Sequence, residues 1–227
     1  MTWGQIGEDP PSREPEPEPV TVAVTGPLAS GKSTFMKMLG DLGAETVSAD
    51  EIVHHLLAED QETIAAVTQR FGEGIRGEEG VDRKALGQQV FGDAEALQDL
   101  EEILHPRVRE ETDRRAMASN ADLFVAEIPL LFEGEEEQSR SGRFDVTVAV
   151  TAPEERRQAW AEERGMGEEQ RRAVEVRQLS GEEKARRAEV VIENDGNLDK
   201  LKEQAKTLMN QVLGKGDSEG EKGPREA

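Results

Sequence analysis

Lys32 and Ser33 close the segment Gly26-Pro-Leu-Ala-Ser-Gly31-Lys-Ser, whose spacing is Gly-x-x-x-x-Gly-Lys-Ser. That spacing suits a loop built to hold phosphate. Gly26 lets the chain leave a strand in a conformation closed to residues with a Cβ, and Gly31 lets the backbone come close to an anion. The N–H groups of Ala29, Ser30 and Gly31 then face the phosphates. So does the start of the following helix, at Lys32, Ser33 and Thr34. Lys32 can reach the β- and γ-phosphates of a nucleotide, and the Ser33 hydroxyl can ligate Mg²⁺. A Gly-Lys-Ser tripeptide also turns up by chance in surface loops. Here the flanks argue for the loop: Thr21 to Thr25 reads as a buried parallel strand, and Phe35, Met38, Leu39 and Leu42 share one helical face. The loop implies nucleoside triphosphate binding and does not name a reaction.

Two acids stand where strands are expected to end. Glu45 to Asp50 reads as a second strand that stops at Asp50, just before a helix over 51–58. Ligands of open α/β sheets bind outside the carboxyl ends of strands, so an acid there can touch substrate. Its plainer role is as the helix N-cap, and the two are compatible. Glu127 closes a third strand over 123–128, where an acid can hold the water shell of Mg²⁺ or simply face solvent. His54 and His55 read as surface or packing residues. Residues 154–187 read as helical and carry many Arg interleaved with Glu. That pattern fits an exposed, salt-laced helix pair, or a lid whose arginines close on phosphates.

The elements that position these residues follow from periodicity. Residues 1–19 end in alternating Glu and Pro and read as a disordered tail. Residues 61–119 are helical throughout, with Ile64, Val67 and Phe71 on one face, a loop over 72–80, a helix opening near Val81, another over 93–104, and a third beginning at His105-Pro106. No strand interrupts them, so about 51–119 reads as a helical insert between strands two and three. Strands four and five are expected over 143–150 and 189–192, and an amphipathic helix over 198–213. A polar tail follows from 214.

Composition sets outer bounds. The chain has 227 residues and no Cys, which excludes disulfides, thiolate nucleophiles and cysteine metal sites. The absence of a long apolar run or a signal-like start argues for a soluble, cytoplasmic protein with no membrane contact. The formal net charge is −21, from 49 acidic and 28 basic residues. The two tails account for −4 and −1 of it, which leaves −16 on the folded part. Such a surface repels nucleic acid. It also repels itself unless salt screens it, so life at high intracellular salt would explain the composition, with an ordinary acidic surface as the alternative.

Taken together, the segments resemble dephospho-coenzyme A kinases of the bacterial type. TGPLASGKST resembles that family's phosphate loop, and Ser48-Ala-Asp50 stands where the family has Asp-Ala-Asp. VDRKALGQQVF (81–91), the Leu-His-Pro at 104–106, PLLFE (129–133) and AEVVIEN (188–194) resemble four more of its motifs. The likeness runs from about Val20 to Leu213. It implies transfer of the γ-phosphoryl of ATP, with Mg²⁺, to the 3′-hydroxyl of dephospho-coenzyme A. It implies an α/β P-loop nucleoside triphosphate hydrolase fold over 20–213. That fold has a parallel five-stranded sheet flanked by helices, a helical acceptor-side insert, and a helical lid over about 153–187. Asp50 would lie by the acceptor hydroxyl, Asn194 near the adenine, and Arg157 and Arg164 would be the lid cations. The chain also departs from the family. Ser48 replaces an Asp, Pro27 and Ala29 replace loop glycines, and Trp160 stands where the lid motif has its first Arg, with Arg164 at the second. Two other readings remain: a different small-molecule kinase, such as one acting on nucleoside monophosphates, and a GTP-dependent switch, although no Asn-Lys-x-Asp motif is present. The oligomeric state is left open.

Overall fold

The structure is a computed structural model that describes residues 18–133 and 142–214. The tail expected over 1–19, apart from its last two residues, and the C-terminal tail from 215 lie outside the described residues.

Five parallel strands form one sheet in the order β2–β3–β1–β4–β5. They are β1 (Val20–Thr25), β2 (Glu45–Ser48), β3 (Leu123–Glu127), β4 (Val146–Thr151) and β5 (Val190–Glu193). β1 is central because its apolar and β-branched residues suit burial on both faces. Alternation then assigns the faces. Val22, Val24, Leu123 and Val125 pack against α1 (Lys32–Asp41) and the closing helix α9 (Leu198–Val212), through Phe35, Leu39, Leu201 and Leu208. Ala23 faces the other way, onto Leu131 and Phe132. Phe124 and Ala126 turn the same way, onto Ile52 and Leu56.

Between β2 and β3 lie α2 (Ala49–Glu59), α3 (Gln61–Phe71), α4 (Arg83–Val90) and α5 (Ala94–Ala118). They share a core of their own, with Leu57, Ile64, Val67, Phe71, Leu86, Leu100 and Leu104 buried together. No strand interrupts them, as the sequence implied.

Three local readings are corrected. The break expected at His105-Pro106 does not occur, and α5 runs through it with Pro106 inside. Proline within a helix costs roughly 3 kcal/mol. Leu100 and Leu104, one turn apart and both buried, offset that at about 1.5–3 kcal/mol each. The N-cap of α2 is Ser48, not Asp50. The Ser48 hydroxyl accepts from the Asp50 N–H at 3.2 Å, and Glu51 reaches back to the Ser48 N–H. Finally, the stretch 154–187 is three short helices: α6 (Glu154–Glu163), α7 (Glu168–Glu175) and α8 (Gly181–Arg187). α7 buries no residue and α6 buries only Ala161. With so little buried surface, tertiary packing cannot fuse them into one long helix.

Candidate active site

The carboxyl ends of three strands are in register. Val24 of β1 pairs with Glu127 of β3, and Glu127 pairs with Ser48 of β2. From these ends leave the phosphate loop, the turn after β3, and α2. Lys32, Asp50 and Glu127 therefore converge by strand register alone.

The loop fits tightly against the sheet. A Cβ on Gly26, at φ 153°, would lie 2.2 Å from the Val150 carbonyl oxygen of β4. Gly31, at φ 91°, is the N-cap of α1, and a Cβ there would lie 2.1 Å from the Asn194 amide nitrogen. Ala29 adopts φ 56°, a left-handed conformation that favours glycine and strains a residue with a Cβ by roughly 1–2 kcal/mol. The first turn of α1 has no side-chain cap and no acid. Its N–H donors, with the helix dipole behind them, suit an anion. The Ser30 hydroxyl is buried with no hydrogen-bond partner among the described residues.

Lys32 is only 8 % exposed, and its ammonium donates to the carbonyls of Gly26 and Pro27 at 3.1 Å each. Burial lowers its pKa, with the Glu127 charge acting in the other direction. Burial likewise pushes Glu127 up. Lys32 opposes that shift, while Asp50 and Glu51 reinforce it.

One cavity of about 950 Å³ gathers Ala29, Lys32, Ser33, Asp50, Glu127 and Arg164. The other sequence candidates take different places. Ser30 and Gly31 form the loop floor, and Thr34 is half-buried on α1. Arg157 is turned to Glu175 at 3.1 Å and to the Leu28 carbonyl at 3.3 Å, away from the cavity lining. Asn194 is buried under the loop. Its amide nitrogen donates to Ser30 O at 3.0 Å, and its amide oxygen accepts from the Gly196 N–H at 3.2 Å.

Several residues were not read from the sequence. Lys184 is fully buried, donates to Pro129 O at 2.6 Å and pairs with Glu133 at 2.6 Å. Burial lowers its pKa and Glu133 counters that. Glu133 also accepts from the Leu179 N–H at 2.9 Å, so this pair ties the foot of α8 to the turn after β3. Gln178 accepts from the Leu28 N–H at 3.1 Å and joins the same segment to the phosphate loop. Arg109 and Arg143 also line the cavity, and so does Arg177, one of the arginines of the expected lid, while it pairs with Glu101 of α5.

A loop of this form, an acid facing it and a roomy cavity describe many phosphotransferases. The dephospho-CoA kinase family pattern matches residues 20–200. The chain belongs to the dephospho-CoA kinase family. A dephospho-CoA kinase from Frankia casuarinae is 36 % identical over 200 residues, covering 87 % of this chain and 86 % of that one. The crystal structure of TT1252 from Thermus thermophilus superposes with a TM-score of 0.72 at 33 % identity, covering 86 % of this chain and 98 % of that one. A dephospho-CoA kinase from Campylobacter jejuni gives a TM-score of 0.57 at 25 % identity, again covering 86 % and 98 %. Ser48 caps α2 and brings no charge of its own beside Asp50.

Proposed function

We propose that this protein transfers the γ-phosphoryl group of ATP to the 3′-hydroxyl of dephospho-coenzyme A, giving coenzyme A and ADP. The observation that carries the reading is that Asp50, Lys32 and Ser33 line the same cavity, in a chain of this family. The uncapped first turn of α1 and the strained, buried loop beneath it suit the donor phosphates. Mg²⁺ suits Ser33 and Glu127, an oxygen donor set of a kind that the ion prefers. When bound it would neutralise charge on the transferring group.

The chain's own residues do the rest. Asp50 accepts the proton of the 3′-hydroxyl as its oxygen attacks the γ-phosphorus and ADP leaves. Lys32 shifts from the loop carbonyls towards the charge developing on the phosphoryl oxygens. Arg164 closes on the same charge from the segment after α6. We take α6–α8 as the lid, α2–α5 as the acceptor side, and residues 20–213 as one kinase domain. Arg157 then steadies the lid through Glu175 and Leu28. Asn194 sets the floor of the nucleotide site through Ser30. No helix among the described residues is long and apolar enough to cross a membrane. A cytoplasmic setting suits an ATP-consuming enzyme of this kind. Incubation with ATP, Mg²⁺ and dephospho-coenzyme A should yield coenzyme A. Turnover of nucleoside monophosphates in its place, with none of dephospho-coenzyme A, would overturn the assignment.

A further inference from the structure

The cavity changes character along its length. Its charged end lies at the sheet, where Lys32 is within reach of the charges of Glu127, Asp50 and Arg164. α2 leads away from that end. Ile52, in its first turn, packs on Phe124 and Ala126 of the sheet, while Leu57 is buried in the core of the insert. From Asp50 to Leu57 the helix rises about 10 Å. Val53, between them, lines the cavity and packs on the insert core. At the insert end the lining turns apolar. Val90, Phe91 and Leu97 come from the corner between α4 and α5, and Val174 comes from α7. The pair between Arg177 and Glu101 joins these two walls. Glu101 lies one turn beyond Leu97 on α5, and Arg177 follows three residues after Val174.

Phe91 stands apart from its neighbours. Val90 packs on the insert core. Phe91 is the C-cap of α4, and its backbone, at φ −70° and ψ 116°, is extended, so the chain leaves the helix there. The side chain is 83 % exposed although it lines the cavity. A lone apolar side chain on a surface needs no partner. This one continues an apolar wall of the cavity that holds Asp50 and Lys32.

We propose that Phe91, with Val90, Leu97 and Val174, receives the pantetheine arm of dephospho-coenzyme A and so sets the choice of acceptor. The proposal rests on the acceptor assignment above. In that molecule the reacting 3′-hydroxyl and the adenine share one ribose, so both stay at the Asp50 end. The arm leaves the ribose through the 5′-diphosphate and is the part long enough to reach the insert end. Its chemistry fits that wall. It is uncharged, with a dimethyl-substituted carbon and methylene pairs between its amides. Packing there removes the face of Phe91 from water. Nucleoside monophosphates carry no such arm and gain nothing from the wall, which therefore discriminates between acceptors.

The test is steady-state kinetics of Phe91→Ala and Phe91→Leu, each checked by thermal melting. Because Phe91 is exposed, both should melt like the parent. Phe91→Ala should raise the KM for dephospho-coenzyme A about tenfold, as for a large apolar side chain that loses its cover. Phe91→Leu should recover most of that, because an apolar surface returns. The KM for ATP should not change, since the donor lies at the phosphate loop. Adenosine monophosphate, which has the ribose without the arm, should inhibit parent and Phe91→Ala equally when it competes with dephospho-coenzyme A. The proposal falls if Phe91→Ala keeps the dephospho-coenzyme A KM within about twofold of the parent, or if the ATP KM rises by the same factor. It also falls if adenosine monophosphate weakens as much as dephospho-coenzyme A does, which would put Phe91 against the nucleoside. A parent protein that makes no coenzyme A would instead bring down the functional assignment, and the occupant of this wall with it.

Discussion

The Asn194 amide donates to the Ser30 carbonyl at 3.0 Å, across 164 positions of sequence, and so pins the phosphate loop to the turn after β5. Both residues are buried, so the bond gives a buried carbonyl a partner. Leaving a buried carbonyl unsatisfied costs about 1–3 kcal/mol. Asn194→Ala should lower the melting temperature and raise the KM for ATP, while the KM for dephospho-coenzyme A holds. An ATP KM that stays put would show that the loop keeps its shape without this clamp.

Lys32 sets function against stability. Burial lowers its pKa, so the native state disfavours the charged form relative to the unfolded chain. A lysine with a depressed folded pKa costs stability at any pH below that pKa, where it is charged in both states. Its bonds to Gly26 and Pro27 recover part of that cost. Lys32→Met should therefore melt no lower than the parent, while turnover falls by roughly 10² to 10³. A melting temperature several degrees lower would make Lys32 a structural residue first.

What was legible in the sequence was what short spacing encodes. The Gly-Lys-Ser pattern and its flanking strand and helix needed no tertiary information, and the five strands could be read from apolar runs. The Ser48-x-x-Glu51 spacing was also a signal, since Ser followed by Glu three residues on marks a capping box. Reading the strand on to Asp50 hid it. The continuity of α5 through Pro106 was not legible, because it depends on what Leu100 and Leu104 pack against. The same holds for Lys184. Among Glu182, Glu183, Arg186 and Arg187 it looks like one more surface charge, and only the fold brings it to Glu133. Arg109 and Arg143 are likewise joined by tertiary structure and by no local pattern.

Because Ser48 caps α2, Asp50 is free for chemistry. Asp50→Asn should cut turnover sharply, leave the KM for ATP nearly intact and leave the melting temperature unchanged. Ser48→Ala should do the reverse, losing about 1 kcal/mol of stability with turnover largely retained. If Asp50→Asn melted like Ser48→Ala, Asp50 would be acting mainly as a helix-terminal charge.

Glu127 gives a pH signature. Its folded pKa is raised above the ordinary carboxylate range, by burial first. An acid raised in this way binds its proton more readily in the folded state, so it contributes less to stability as pH rises through that range. For a Mg²⁺ ligand the proton is a competitor. The Mg²⁺ concentration needed for half-maximal activity should rise as pH falls, starting at a higher pH than a free carboxylate would show. Glu127→Gln should need more Mg²⁺ at every pH and lose the slope. A parent enzyme whose Mg²⁺ requirement is flat from about pH 8 to pH 5 would remove Glu127 from the metal site.

Salt acts on the whole surface. Ion pairs such as Arg172–Glu168 and Lys206–Glu203 are exposed, and pairs of that kind contribute about 0–1 kcal/mol each. Even if every Lys and Arg were paired, 21 acidic charges would remain without a partner, by the net charge of the chain. At 0.1 M salt their repulsion reaches about 10 Å, and at 1 M only about 3 Å. Screening weakens the pairs too, but the unpaired excess is the larger quantity, so the melting temperature should rise with KCl. Substrate binding should move the other way, because the attraction of the cavity's cations for phosphate is screened by the same salt. Activity should therefore peak at raised salt, with the KM for dephospho-coenzyme A rising throughout. Melting curves and kinetics taken from 0.1 M to 1 M KCl separate the two trends. A melting temperature that stays flat or falls across that range would show that repulsion between surface carboxylates does not limit the stability of this fold.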